Sequence, residues 1–271
     1  MTVNFYKYHG AGNDFVVIDN RLNTFIAKPE VVNRLCHRRF GIGADGLLLL
    51  ETSGTHDFAM RYFNADGHEG SMCGNGGRCI AAFAYQQMNL KEKISFMAVD
   101  GLHRAEILCI ADGVALVRLK MADVERVEQG DGYYFLDTGS PHYVAFVENA
   151  DILDVATLGK EIRYSPLFPH GTNVDFVEIR QGKLFVRTYE RGVEDETLSC
   201  GTGVTASAIA ASFVLPQLSY EINTRGGNLK VSFAKDKEKF VDVWLEGPAA
   251  CVFSGQIKLK YAKPKYQTAC R

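Results

Sequence analysis

The chain has no apolar run long enough to cross a bilayer. Its opening, MTVNFYKYHG, lacks the charged-then-apolar pattern of a signal peptide. A cytoplasmic protein without membrane contact is expected. Basic excess is missing too: 30 Lys and Arg stand against 32 Asp and Glu, for a formal net charge of −2. Nucleic acid and anionic lipid attract proteins through surplus positive charge, so neither is an expected partner and a small molecule is. The seven cysteines (36, 73, 79, 109, 200, 251 and 270) are odd in number and lack compact spacing. That pattern does not make a disulfide framework, and reduced thiols are expected. No metal-ligand cluster is evident either, since Cys73 and Cys79 lack a usual zinc spacing and a second pair. No metal or other cofactor is expected.

What the chain does have is one stretch written twice. SMCGNGGRCIAAFA (71–84) returns in altered form as LSCGTGVTASAIAA (198–211). In each, a cysteine precedes Gly-x-Gly and an Ala-rich run of good helix propensity, which puts Cys73 and Cys200 at helix N-termini. A shift of 127 residues superposes Cys73 on Cys200, Gly74 on Gly201, Gly76 on Gly203, Phe58 on Phe185, Tyr62 on Tyr189 and Gly12 on Gly139 without a gap. With a slip of one the match continues, Gly101 against Gly227 and Leu119 against Leu245.

The surrounding pattern predicts a hairpin from 3–8 and 14–19, a helix over 29–39, and a buried strand after the Gly-rich turn at 41–46. Strands follow at 58–63, 94–99, 103–110 and 114–119. The order then restarts with strands at 133–137 and 142–148, a helix over 152–160, and a strand after HGTNVDFVEI. The expectation is an α+β protein of two similar domains related by internal duplication, each a curved, mostly antiparallel sheet around a central helix. The N-terminal repeat would be residues 1–123 and the C-terminal repeat 124–260, with a last strand at 256–260 crossing to the first domain and a loose tail at 261–271.

A helix N-terminus offers unpaired N–H groups and partial positive charge, which favour a thiolate and can also hold a carboxylate. Two such ends facing across a pseudo-twofold axis suit inversion of one carbon. One thiolate would remove a proton while the opposite thiol returns one. The turns Gly74-Asn75-Gly76 and Gly201-Thr202-Gly203 would meet the charge that develops on the substrate carboxylate, in place of a pyridoxal or metal electron sink. Other readings compete. Cys79 reads as packing, a redox disulfide between Cys73 and Cys200 is a rival, His142 could be a turn histidine on the surface, and Glu190 with Arg191 a solvated pair.

At these residues the chain resembles the diaminopimelate epimerase family over nearly its whole length, through YKYHGAGNDFVVID (6–19), FNADG (63–67), MCGNGGRC (72–79), GSPH (139–142), TNVDF (172–176) and YERGVEDETLSCGTG (189–203). The resemblance implies cofactor-independent conversion of LL- to meso-diaminopimelate, on the route to lysine and peptidoglycan, by a homodimer. It implies that Cys73 and Cys200 are the acid/base pair, with His142 assisting Cys73 and Glu190 assisting Cys200. It also implies that Asn13, Asn64, Asn173, Glu190 and Arg191 bind the substrate, and that Gly74, Asn75, Gly201 and Thr202 hold the reacting carboxylate through backbone N–H groups. Gly46 and Ser140 depart from the common pattern, which has Gln and Asn there. Proline and hydroxyproline racemases are the nearest alternative, but their first motif usually has His where Asn75 stands.

Overall fold

The computed structural model describes residues 2–259. The expected tail at 261–271 and the final residue of the expected strand at 256–260 lie outside the described residues. In chain order the first half contains β1 (Thr2–Gly10), β2 (Asn13–Asp19), α1 (Pro29–Cys36), β3 (Gly46–Glu51), β4 (Phe58–Asn64), β5 (Glu69–Gly70), α2 (Gly74–Met88), β6 (Lys93–Ala98), β7 (Gly101–Ala111) and β8 (Val114–Lys120). The rest contains β9 (Val127–Gln129), β10 (Tyr134–Asp137), β11 (Pro141–Phe146), α3 (Val155–Arg163), β12 (Asn173–Arg180), β13 (Lys183–Glu190), β14 (Asp195–Thr197), α4 (Gly201–Ala211), β15 (Ser219–Thr224), β16 (Gly227–Asp236) and β17 (Lys239–Lys258).

The first hairpin closes on Ala11 and Gly12, both at positive φ, the two-residue turn whose twist suits paired strands. From there β2 pairs with β3 in parallel, β3 with β4 antiparallel, β4 with β6 in parallel, and β6, β7 and β8 antiparallel in succession. The second half repeats this sequence of pairings. β10–β11 is antiparallel, β11–β12 parallel, β12–β13 antiparallel, β13–β15 parallel, and β15, β16 and β17 antiparallel. The architecture is therefore α+β with mixed sheets, two parallel pairings in each half.

Each array surrounds one helix. α2 is apolar almost all round, with Cys79 to Ala84 buried, and α4 is buried from Gly203 to Ala211. A helix without a polar face has to be enclosed on every side. β17 links the two arrays. Its first part pairs with β16, and from Gly247 onward it pairs with β8 and then with β1, up to Thr2↔Lys258.

Three expected boundaries are corrected. The strand expected at 256–260 is the end of the 20-residue β17, whose crossing into the first array begins at Gly247. The helix expected over 29–39 stops at Cys36. There the His37 imidazole accepts from the N–H groups of Arg39 and Phe40, and Gly41 packs where a Cβ would overlap the Arg34 carbonyl. The helix expected over 152–160 starts at Val155, because Asp154 caps it by accepting from the N–H of Thr157 at 3.1 Å.

Candidate active site

Cys73 is the N-cap of α2 and Cys200 the N-cap of α4. The two helix ends meet. A Cβ on Gly201 would lie 3.1 Å from the Gly74 Cα, and one on Gly74 would lie 2.9 Å from Leu245 Cδ2 and 3.4 Å from the Gly201 Cα. Glycine at both positions permits this approach.

Around the junction lies a cavity of about 260 Å³. Asn13, Asn64, Cys73, Gly74, Asn75, Asn173, Glu190, Arg191, Cys200, Gly201 and Thr202 all line it, as does Ser140. His142 stands behind the wall, fully buried. Its Nδ1 lies 2.6 Å from Asp175 Oδ2. A carboxylate can only accept, so Nδ1 donates to it and Nε2 faces the other way. That nitrogen faces the Thr202 hydroxyl at 2.9 Å and Asn173 Nδ2 at 3.4 Å. The Thr202 hydroxyl is in turn 3.3 Å from Cys200 Sγ. His142 is thus joined by hydrogen bonds to the Cys200 turn, and none of those found among the described residues joins it to Cys73.

Asn173 Nδ2 donates to Ser140 Oγ at 2.8 Å and its Oδ1 accepts from the Arg191 N–H at 2.8 Å, so the shorter Ser140 still has a partner. Asn13 Nδ2 donates to Asp45 at 2.7 Å, which leaves its Oδ1 towards Asn75 at 3.5 Å and the Cys73 sulfur at 4.0 Å. Asn75 spans the junction by donating to the Ser199 carbonyl at 3.1 Å.

The electrostatics correct one expectation. Burial pushes the Cys73 thiol up to about 11, although Gly76 donates its N–H to the sulfur at 3.1 Å and so lowers it. Burial also pushes the Cys200 thiol well above its ordinary range, with Glu190 and Asp175 adding to the rise and Thr202 opposing it. Desolvation of the anion outweighs the helix end, and both sulfurs rest as thiols. Glu190 is itself raised, by burial first, while Thr197 and His142 pull it down. Because the thiolate is the nucleophile, alkylation of Cys73 by iodoacetamide should climb about tenfold per pH unit from about pH 7 to about pH 10. The curve should bend only near 11. Peptide-resolved alkylation rates check this, and a plateau already reached at neutral pH would refute it.

Four residues of this site carried no role in the sequence reading. Arg78, in the MCGNGGRC stretch, is completely buried and donates to the Gly74 carbonyl at 3.1 Å and to Asn75 Oδ1 at 2.8 Å. Burial lowers its pKa to about 10, which still leaves a cation beneath the α2 turn at neutral pH. Asp175, in TNVDF, is buried between His142 and Thr188. Ser199 presents a buried hydroxyl without a partner among the described residues, and Tyr62 lines the cavity. Arg78 and Asp175 stood inside motifs already singled out. Tyr62 had only its equivalence to Tyr189 as a signal.

Two thiols on abutting helix ends, Cys200 buried and Cys73 half-buried, open into one polar cavity. The fold is shared with a phenazine biosynthesis protein of the PhzF family from Bacillus anthracis (TM-score 0.77, 14% identity, covering 96% of this chain and 100% of that one). It is shared also with a probable proline racemase from Agrobacterium radiobacter K84 (TM-score 0.71, 15% identity, 97% and 94%). At those identities the likeness is one of fold alone. The chain belongs to the diaminopimelate epimerase family, whose sequence model matches residues 5–127 and 134–252. It is 49% identical over 257 residues to the diaminopimelate epimerase of Flavobacterium psychrophilum, covering 93% of this chain and 99% of that one.

Proposed function

We propose that the protein epimerises LL-2,6-diaminopimelate to meso-diaminopimelate by two-cysteine acid/base chemistry, supplying precursors of lysine and peptidoglycan. The observation that carries this reading is the approach of Gly74 and Gly201, which sets the sulfurs of Cys73 and Cys200 on two helix ends around one cavity. In one direction a thiolate takes the α-proton and the opposite thiol delivers its own to the other face; in reverse the roles exchange. As the α-carbon gains carbanion character, charge moves onto the carboxylate. The first-turn N–H groups at Gly74, Asn75, Gly201 and Thr202 stabilise it there. Arg78 adds positive potential from below. His142 and Glu190 adjust the thiols, His142 through Thr202 and Glu190 through its charge on both sulfurs.

The two stretches that match the family model, 5–127 and 134–252, support an internal duplication into repeats 1–123 and 124–260, the second lending the end of its last strand to β8 and β1. A homodimer is part of the same reading. It is supported by apolar side chains left exposed on β7, β8 and β17, among them Ile110, Val114 and Phe253, and light scattering of the purified protein tests it.

Incubation with LL-diaminopimelate in deuterium oxide should give the meso isomer with deuterium at the inverted α-carbon. Recovery of LL substrate without deuterium would overturn the reading. The cleft holds more polar groups than one α-amino acid can satisfy, among them Asn64 and Arg191, whose N–H donates to Asn173. Leaving such groups unpaired costs about 1–3 kcal/mol each. Lysine, which lacks the far carboxylate, should therefore turn over more slowly by orders of magnitude. Arg191→Ala should lower kcat/KM for diaminopimelate far more than for lysine, and equal rates on both substrates with the wild-type protein would refute this.

A further inference from the structure

Tyr62 leaves β4 between two glycines. A Cβ on Gly46 of β3 would lie 2.5 Å from its Cε2. One on Gly70 of β5 would lie 3.1 Å from its Cε1. Phe15 closes the slot edge-on, with ring centroids 6.1 Å apart at 77°. The ring, together with the Phe63 carbonyl oxygen 2.6 Å from the same Cβ position, therefore occupies the space that any side chain at position 46 would need. Tyr62 lines the cavity, and its hydroxyl donates to Asn64 Oδ1 at 2.7 Å.

A phenol has one O–H to give. Burial first, and then the charges of Cys73 and Glu190, raise the Tyr62 pKa, so that proton stays in place through the neutral range. With the proton committed to Asn64, the oxygen can only accept from a ligand. Asn64 is left the complementary way, its Oδ1 occupied and its Nδ2 beside Gly70, which also lines the cavity. An acceptor next to an amide donor, within the field of Glu190, matches a zwitterionic amino-acid head: ammonium to the phenol oxygen, carboxylate to the amide.

We propose that Tyr62 is a specificity-determining residue whose hydroxyl oxygen accepts a hydrogen bond from the ammonium group of the substrate's non-reacting amino-acid head. The assignment rests on the reading of the substrate as diaminopimelate. It also gives Gly46 a role, since the missing side chain makes room for the ring that carries the acceptor.

The test is steady-state kinetics with LL-diaminopimelate, paired with competitive inhibition by 2-aminopimelate, which keeps both carboxylates and lacks the second amino group. Tyr62→Phe retains the ring and removes only the oxygen. It should raise KM for diaminopimelate about tenfold to hundredfold, the worth of a hydrogen bond to a charged group, with a much smaller change in kcat. The inhibition constant of 2-aminopimelate should stay within about twofold, because that ligand never makes the contact. Gly46→Ala should raise the same KM by displacing the ring and the β4 backbone at Phe63. An unchanged KM in Tyr62→Phe overturns the assignment, and so does a parallel rise in KM and in the 2-aminopimelate constant, which would mean that Tyr62 only shapes the cleft. Turnover by the wild-type protein with either of those results sinks this assignment alone, whereas no turnover by the wild-type protein sinks the functional reading and the assignment with it.

Discussion

Cys73→Ser and Cys200→Ser should each lower kcat for epimerisation by about 10²–10⁴-fold, the range typical of a lost general acid or base, while leaving the fold intact. A serine hydroxyl keeps nearly the same shape but is a far weaker acid than a thiol. The site makes that difference worse, because burial already pushes Cys73 up to about 11 and Cys200 well above its ordinary range. A group that starts much higher cannot reach the anionic state there. Neither change removes a large apolar contact, so the melting temperature should move little. Both losses should be of similar depth, since each cysteine serves once in every turnover as acid or as base. Full activity in either variant would sink the two-thiol mechanism. A large loss in only one would show that a single cysteine does the chemistry.

Gly203→Ala should be among the most damaging changes outside the cysteines. A Cβ there would stand 2.4 Å from Asp175 Oδ1 and 3.2 Å from Thr188 Oγ1, and these are the groups that fix the carboxylate against His142. Forcing a methyl group into a packed interior costs about 1–3 kcal/mol, for a drop in melting temperature of about 2–4 °C per kcal/mol in a chain of this size class. The cost in activity should be larger still. A displaced Asp175 no longer holds the imidazole in place, and the hydrogen bonds from His142 through Thr202 to Cys200 lose their direction. Gly54→Ala is the matched control, because a Cβ there meets nothing within 4 Å. Calorimetry and kcat on the two variants check the pair, and a Gly203→Ala protein as stable and active as Gly54→Ala would show that the Asp175 contact does not matter.

Local chemistry was legible in the residue order. The N-cap positions of Cys73 and Cys200 follow from Gly-x-Gly before an Ala-rich run, because capping and helix propensity act within about one turn. The hairpin turns are equally local, as at Ala11-Gly12, where the backbone needs positive φ. The 127-residue repeat could be read because matched Gly and Ala positions lie within α2 and α4, which are enclosed and so need small residues.

Tertiary structure decided whatever depends on partners distant in sequence. His142 found Asp175, 33 residues away, and Thr202, 60 residues away, and no pattern near GSPH indicates either. Helix ends favour thiolates locally, yet both thiols are raised, because burial is set by the whole enclosure and a dehydrated anion costs more than a few N–H groups return. β17 reads as separate pieces along the chain, since its partners change from β16 to β8 to β1 and only the assembled arrays make it one strand. Gly46 looks like a lost contact in isolation. Its meaning comes from the Tyr62 ring that lies over it, a packing relation between neighbouring strands that periodicity along one strand does not encode.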